Sequence, residues 1–523
     1  MTGTHLTLIG MGLMKLLNKA GAGVKAASVI SGAVMILYGI FTGSSVSTMR
    51  AVIMFLLCVT AKIIGRTYDM LSALAFSGIL ILAENPGYLY HSGFLLSYSA
   101  VAGIGILTPA IEKQPKKKGK FSEIQKGLTG GIAVFLAQFP LLQYFFYEIP
   151  LFSLAVNLLV IPLLPIIVIS GFLGLMSGIM VPALGKVLLS GACFLLQMYE
   201  KIGCIIQKMP VSSLITGQPA LWQVGAYYMI LALFLAVRGK SSRKLFFGGI
   251  LFASVLLSLR PGHGFRAVML DVGQGDCLAL ETPGDHFFLI DGGSSSVQQV
   301  GTYRILPFIK QRGVGEIEGI FVTHGDEDHI SGVLEILEGM KKGGGVKVKK
   351  LFLPMWMKNQ EDQRLQEKAR QAKVPVGYLQ KGDKIQDKDV IFHILYPDGE
   401  ETGEDGNSGS LTMRVEYGAL SFLLTGDLTG EGEKKVTREK IGSQILKVAH
   451  HGSGSSTDEE FLTKASPSFA LISCGRNNRY GHPAPELIQR LEERNIVIYD
   501  TRRDGAVSFM CDAKGRLKIE TFL

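Results

Sequence analysis

Charge is scarce in this 523-residue sequence: Asp, Glu, Lys and Arg together make up only 19% of it. Mean hydropathy is positive, which excludes a chain that is soluble along its whole length. The scarcity is uneven. Apolar runs dominate from residue 1 to about 260, and from 262 onward the composition is that of a globular domain. The chain therefore splits near Arg260-Pro261-Gly262 into a membrane half and a globular half. Cysteine is also sparse. The six residues at 58, 193, 204, 277, 474 and 511 show no CxxC or other zinc-type spacing, so they read as structural and leave the redox compartment open. A signal-peptide cleavage pattern is missing too. The net charge of +9 is compatible with an anionic partner, but many of the cations sit in short loops, where membrane topology explains them equally well.

Ten apolar segments lie at about 5–17, 26–41, 50–64, 70–84, 92–111, 128–147, 151–178, 184–207, 221–237 and 244–259. Lys15, Lys19 and Lys25 follow the first; Lys62 and Arg66 follow the third. Lys113, Lys116, Lys117, Lys118 and Lys120 follow the fifth, and Arg238, Lys240, Arg243 and Lys244 the ninth. The loops after the first, third, fifth and ninth segments are thus positive, as expected of cytoplasmic loops, and ten crossings then deliver the globular half to the outer face. Segment seven combines Asn157, Pro162, Pro165, Gly171 and Gly174 and is expected to break. Gln138, Gln143 and Asn157 are amides at membrane depth that either face a channel or hydrogen-bond neighbouring helices. Ten helices exceed what an anchor needs, which points to transport. The abrupt start at Thr2-Gly3-Thr4-His5 fits an N-terminally shortened version of a longer protein.

The globular half is organised around Phe321-Val322-Thr323-His324-Gly325-Asp326-Glu327-Asp328-His329-Ile330-Ser331-Gly332. Ile320 to Thr323 reads as a buried strand, and a helix is expected to start at Gly332 and Val333. His324, Asp326, Asp328 and His329 place four metal-ligand types within six residues. Imidazole with carboxylate suits zinc, manganese or iron better than calcium or magnesium. Helix capping accounts for one acid but not for two His and two Asp around one turn.

Further strands are read at Arg266–Val272, Cys277–Leu280, Phe287–Ile290, Val390–Tyr396, Leu411–Tyr417, Ser421–Leu424, Gln444–Ala449 and Leu471–Ser473. Helices are read at Ile305–Arg312, Leu334–Lys341, Glu361–Lys373 and Pro485–Arg494. Asp276, after two glycines, either contacts the site or closes a hairpin. Asp291 holds neighbouring loops. The Lys/Gly-rich stretch 341–350 is a solvated loop or a phosphate-facing rim, and His393 is a strand residue. Residues 398–410 form a loop that ends in Asn407-Ser408. Asp427, at the end of a strand in Thr425-Gly426-Asp427, is placed to bridge two ions. His451 and His482 follow strand ends as the earlier ligands do. Of His450 and His451, adjacent in a strand, one coordinates metal and the other orients it or meets a phosphate oxygen. Lys447 or His450 could assist catalysis. The repeated strand, ligand turn and helix gathers every ligand on one rim of a sheet.

Together these strings resemble the ComEC family of DNA-uptake channels. The soluble strings are Asp271-Val272-Gly273-Gln274-Gly275-Asp276, His324-Gly325-Asp326-Glu327-Asp328-His329, Leu424-Thr425-Gly426-Asp427, His450-His451-Gly452-Ser453 and Tyr480-Gly481-His482-Pro483. In the membrane half, Ser47-Thr48-Met49-Arg50-Ala51 and Leu96-Ser97-Tyr98 are similar to family patterns. The resemblance implies a polytopic α-helical membrane domain over 1–260, followed by an α/β metallo-β-lactamase-like αββα sandwich over 262–523 outside the cytoplasm. It implies a multi-pass protein of the bacterial inner membrane that passes one DNA strand inward while a metal-dependent nuclease degrades the other. Metal ligands would be His324, Asp326, Asp328, His329, Asp427, His451 and His482, holding one or two manganese or zinc ions. Asp328, Asp427, His450 and Lys447 would serve catalysis, and Asp276, Ser453, Asn478 and Tyr480 would meet DNA. Partners would be DNA, membrane lipid, a membrane DNA receptor, a cytoplasmic DNA-translocating ATPase and a second copy of the chain. Two departures stand out: the family's further N-terminal OB-type domain is not seen, and Asn407 and Ser408 occupy the approximate place of a usual His ligand. The rival readings are a channel whose outer domain binds DNA uncut, and a membrane-tethered hydrolase of small phosphoesters.

Overall fold

The computed structural model describes residues 2–112, 120–209, 212–236, 242–260, 264–343, 345–360, 363–399, 406–512 and 514–523. Lys113, Lys116, Lys117, Lys118, Arg238, Lys240, Pro261, Gly262, Gly344 and Glu361 lie outside them, as does 400–405 of the acidic loop. Two compact units result, Met1–Leu259 and Arg260–Leu523.

All ten apolar segments of the first unit are helical. Among the described residues, six helices are long and apolar enough to cross a membrane: Gly23–Phe41, Val46–Ile64, Ser92–Ile111, Gln125–Phe146, Ser153–Met180 and Pro182–Gln207. Met70–Glu84, Leu221–Ala236 and Gly248–Ser258 are shorter. Large apolar side chains such as Ile161, Ile166, Ile169 and Phe172 point outward, as they would toward lipid. The expected break in segment seven is corrected: Ser153–Met180 is one continuous helix that carries Pro162 and Pro165 inside it. Each proline forfeits one backbone bond. Among apolar side chains, a break would orphan further groups with nothing to pair them, so the helix persists. Tyr199 Oη donates to Val160 O at 2.8 Å in the same stretch.

In the second unit, two sheets stack. The first runs in the order Val376–Leu379, Leu351–Pro354, Gly319–Phe321, Phe287–Ile290, Leu278–Glu281, Phe265–Met269, Ala506–Cys511, Leu517–Phe522. The second runs Lys384–Asp387, Val390–Tyr396, Thr412–Tyr417, Leu420–Leu424, Ile445–Lys447, Phe469–Ile472, Val497–Asp500. Phe265, Phe288, Phe321, Phe392, Phe422 and Phe509 interlock between the sheets. Behind the second sheet, Val436, Phe461, Leu462, Leu487 and Leu491 pack three helices onto Leu423, Leu446 and Ile472. Along the first sheet, Glu327–Lys341 buries Ile330, Val333, Ile336 and Leu337. This is the αββα sandwich expected, with the parallel strands of both sheets ending where the candidate ligands begin.

One boundary differs with consequence. The helix expected from Gly332 starts at Glu327, so Asp328 and His329 stand on its first turn. Asp326 takes extended backbone ahead of it, and two acids in the first turn complement the helix dipole. That turn is clasped by glycine. A Cβ on Gly293 would lie 2.5 Å from His329 N and Asp328 C, and one on Gly275 would lie 2.5 Å from Asp328 O. Both are backbone obstacles. Gly293→Ala should therefore lower stability by about 1–3 kcal/mol, whereas Gly339→Ala, in open space on the same helix, should be neutral or stabilise by up to about 1 kcal/mol. Thermal unfolding of the two variants in detergent checks the contrast; equal melting temperatures would contradict the clasp.

Candidate metal centre

The centre is built on one carboxylate. Asp291, at the end of Phe287–Ile290, accepts from Thr323 N and Thr323 Oγ1, each at 2.8 Å, and meets His329 Nδ1 at 2.9 Å. This fixes the turn that follows Gly319–Phe321 and commits one nitrogen of His329. The role of loop holder expected for Asp291 is the one it has here, and Thr323, unremarked in the sequence, is its partner. His324 Nδ1 lies 3.0 Å from the same Thr323 hydroxyl. His451 Nδ1 lies 3.0 Å from Ser473 O. Each ring is thus held from behind with Nε2 forward, as ligating imidazoles are.

The forward atoms converge. Ligand atoms of His324, His329 and Asp427 lie within 4.8 Å of one another, as do those of Asp328, His329 and His451, and those of Asp276, Asp427 and His451. His329 Nε2 is 3.3 Å from Asp427 Oδ1; His451 Nε2 is 3.3 Å from Asp328 Oδ2 and 3.4 Å from Asp427 Oδ2. Yet Nε2 of His324, His329 and His451 and Oδ1 of Asp427 are buried without a hydrogen-bond partner among the described residues. Buried polar atoms are almost always satisfied. Three imidazole nitrogens and a carboxylate oxygen orphaned around one spot form a donor set that fits a divalent transition ion.

Electrostatics point the same way. Burial alone would push His329 and His451 down, but facing carboxylates overcome it. Asp427 and Asp291 hold His329 well above its ordinary range, and Asp427 and Asp276 raise His451 to about 10. Burial would raise Asp427, but His451 and His329 hold it well below the usual carboxylate range. Without an ion, the rings themselves carry the compensating charge.

Several sequence assignments change. Of the two roles expected for Asp276, contact with the site is the one it has: it is buried, ion-paired with Lys447, and 3.4 Å from His451 Nδ1. Lys447 is buried as well, donating to Gly426 O at 2.9 Å. Its ammonium neutralises the carboxylates from beneath and cannot reach a substrate. Asp326 is 63% exposed at the rim, with Oδ2 3.6 Å from His324 Nε2. His482 joins none of these groups, nor the further one of Asp276, Asp291 and His329; its ring lies 5.6 Å from that of His450 and 5.8 Å from that of Tyr480. Asn478 holds it there, accepting from His482 N at 2.9 Å and donating to His482 O at 2.7 Å. Asn478 therefore braces its loop. Ser453 Oγ is likewise spent on its own turn, accepting from Ser455 N at 3.3 Å. His451 points inward while His450 stays at the mouth, though the strand alternation expected is not the cause. The strand ends at Lys447, and both His adopt positive φ, 49° and 53°, in the turn beyond it. His393 is a strand residue on Glu416 Oε2 at 3.2 Å. In the first unit, Gln138 donates to Leu96 O at 2.8 Å, Gln143 is fully buried near Ser258, and Asn157 is exposed on the outer face of its helix.

Two outcomes follow for the metal. Asp291→Ala should weaken divalent-ion affinity about 10–100-fold, measured by competition with a chromophoric chelator; unchanged affinity would remove Asp291 from the centre. In metal-stripped protein, the raised His451 contributes stability that is complete below its ordinary 6.5 and lost as pH climbs toward about 10. The stripped protein should therefore lose melting temperature between pH 7 and 10, and zinc or manganese should abolish that loss.

Residues 1–241 match the Competence protein family, and residues 270–476 match the Metallo-beta-lactamase superfamily. The second match covers every residue of the convergent groups and stops before His482. The chain is 29% identical over 530 residues to "ComE operon protein 3" of Bacillus subtilis (strain 168), covering 97% of this chain and 67% of that protein. It is 28% identical over 252 residues to "Competence protein ComA" of Neisseria gonorrhoeae, covering 48% and 33%, and 29% identical over 238 residues to "Recombination protein 2" of Haemophilus influenzae, covering 46% and 28%. The chain spans about two thirds of the first relative's length and about a third of the other two. It therefore joins a competence-protein domain to a metallo-β-lactamase domain in the manner of the ComEC-type proteins it resembles.

Proposed function

We propose that this chain takes part in DNA uptake: the membrane half conducts a single strand, and the globular half, on the outer face of the inner membrane, is a metal-dependent phosphodiesterase that cuts the strand left outside. The observation that carries the enzymatic part is the set of orphaned, converging ligand atoms on His324, His329, His451 and Asp427. The uptake part rests on the competence-family match over the other half.

His324, His329, His451, Asp328 and Asp427 would hold one or two ions, with zinc or manganese suited to the donors. When bound, such an ion supplies Lewis acidity and an activated water. The protein's own part is positioning. Asp291 and Ser473 fix the rings, Lys447 keeps Asp276 ionised, and His451 and His329 do the same for Asp427 beside it. At the mouth, His450 is 30% exposed with its Nε2 4.0 Å from Asp427 Oδ2, placed to donate to a phosphate oxygen. Tyr480 is 54% exposed, stacked beside His482 with Arg479 over its ring at 5.2 Å. An exposed aromatic with a cation suits an unpaired base and its backbone, independent of sequence. A membrane receptor would deliver the strand, a cytoplasmic ATPase would draw it in, and a second copy would complete the pore.

Asp427→Ala in the full chain should lower manganese- or zinc-dependent cleavage of single-stranded DNA by roughly 10³-fold or more. Tyr480→Ala should raise the substrate concentration needed and leave hydrolysis of a small diester such as bis-p-nitrophenyl phosphate unchanged. Cleavage that survives Asp427→Ala would refute the enzymatic part. Loss of transformation in a strain whose only copy of this protein is deleted, restored by this chain, tests the uptake part.

A further inference from the structure

The two membrane-half strings that the metal centre leaves unused, Ser47-Thr48-Met49-Arg50-Ala51 and Leu96-Ser97-Tyr98, meet in the fold. Arg50 donates from Nε to Ser97 Oγ at 2.7 Å and from Nη1 to Met54 Sδ at 3.4 Å; Ser47 Oγ donates to Gly93 O at 3.2 Å. Residue 47 beside 93, and 50 beside 97, makes Val46–Ile64 and Ser92–Ala102 parallel neighbours with their N-terminal ends together. A cavity of about 640 Å³ lies between them. On one side it follows Ser47, Arg50, Met54 and Cys58, a run of about 16 Å at about 1.5 Å per residue. That is roughly half of a bilayer's hydrocarbon thickness. Gln138 lines it from another helix and Tyr68 from the segment between Ile64 and Met70.

Arg50 is 8% exposed. Among the described residues no carboxylate lies within ion-pair distance of it, and its Nη2 has no hydrogen-bond partner. A guanidinium buried in an apolar helix bundle is costly unless something neutralises it. The two helix N-termini beside it add positive potential instead of cancelling it. Ser97, Met54 and the cavity's other polar atoms are neutral. The missing negative charge must then come from what enters the cavity, and the fork of guanidinium donors matches the oxygens of a phosphate. We propose that this cavity is an anion site in which Arg50 binds a phosphodiester group of a nucleic-acid strand. The identity of the strand rests on the uptake reading above; the charge of the ligand does not.

Cys58 lines the same cavity and reports on it. In the full chain in detergent, its modification by an anionic methanethiosulfonate (sulfonatoethyl) and a cationic one (trimethylammonioethyl) is followed by peptide mass spectrometry. The anionic-to-cationic rate ratio should fall about tenfold or more in Arg50→Gln and recover in Arg50→Lys, which keeps the charge. Short oligothymidylate should slow modification of Cys58 in the natural chain but not in Arg50→Gln. A ratio unchanged by Arg50→Gln, or a Cys58 that neither reagent reaches, overturns the site. Protection by inorganic phosphate without protection by oligothymidylate overturns the strand as its ligand. Charge selection and oligothymidylate protection in a chain that fails to restore transformation would uphold this site and overturn only the uptake reading.

Discussion

Everything in the globular unit that bears on chemistry hangs from the Asp291 carboxylate. One oxygen takes the Thr323 amide; the other takes the Thr323 hydroxyl and His329 Nδ1. Those bonds tie the end of one parallel strand to the turn after its neighbour and to the first turn of the helix beyond. Asp291 adopts φ 55° to do so, a left-handed backbone that costs a non-glycine residue on the order of 1 kcal/mol. His450 and His451 sit in the same region of backbone space. At these three positions the left-handed turn carries its side chain to the ends of the strands, where the candidate ligands meet.

The second constraint is charge. Asp276, Asp291 and Asp427 are all nearly fully buried, and Asp328 is partly so. Desolvating that many carboxylates together is prohibitive unless cations face them. Lys447 supplies one from beneath, permanently, and the imidazoles supply the rest only while protonated. A divalent ion would substitute for those protons and satisfy the orphaned nitrogens at the same time. The same carboxylates thus make an unmetallated site uncomfortable and a metallated one stable, which is how metal binding becomes coupled to folding.

The sequence was legible where chemistry is local. His324, Asp328 and His329 are one motif on one turn, and a strand–ligand–helix rhythm shows that Asp427 and His451 belong with them. It misled where a residue's role depends on a partner far along the chain. Asp276, after two glycines, stays undecided between site contact and hairpin turn until Lys447, 171 positions away, is found to neutralise it. His482 repeats the rhythm but is held at the mouth by Asn478, a loop detail without periodic signature. The helix start was misplaced because apolar spacing marks only the buried face, which begins at Ile330, while the first turn is fixed by Asp326 and two acids. Segment seven was misread for a related reason. Proline predicts a break when water can take up the freed carbonyl, and in a helix whose neighbours are apolar that escape is missing.

The two halves answer one physical problem in opposite ways. In the globular unit, negative groups are drawn into a low-dielectric interior and answered there by lysine, histidine and an ion, so the field is spent at the spot where it acts. In the membrane unit, the described residues leave Arg50 unanswered by any carboxylate, held in place by a serine hydroxyl and a thioether that orient it without neutralising it. A buried cation already paired with Asp or Glu would present no net attraction to a passing anion. A cation at the bilayer centre with no polar company would not be tolerated. Arg50 stands between these limits, one turn into its helix, where neutral hydrogen bonds fix the guanidinium and leave its charge for the cavity.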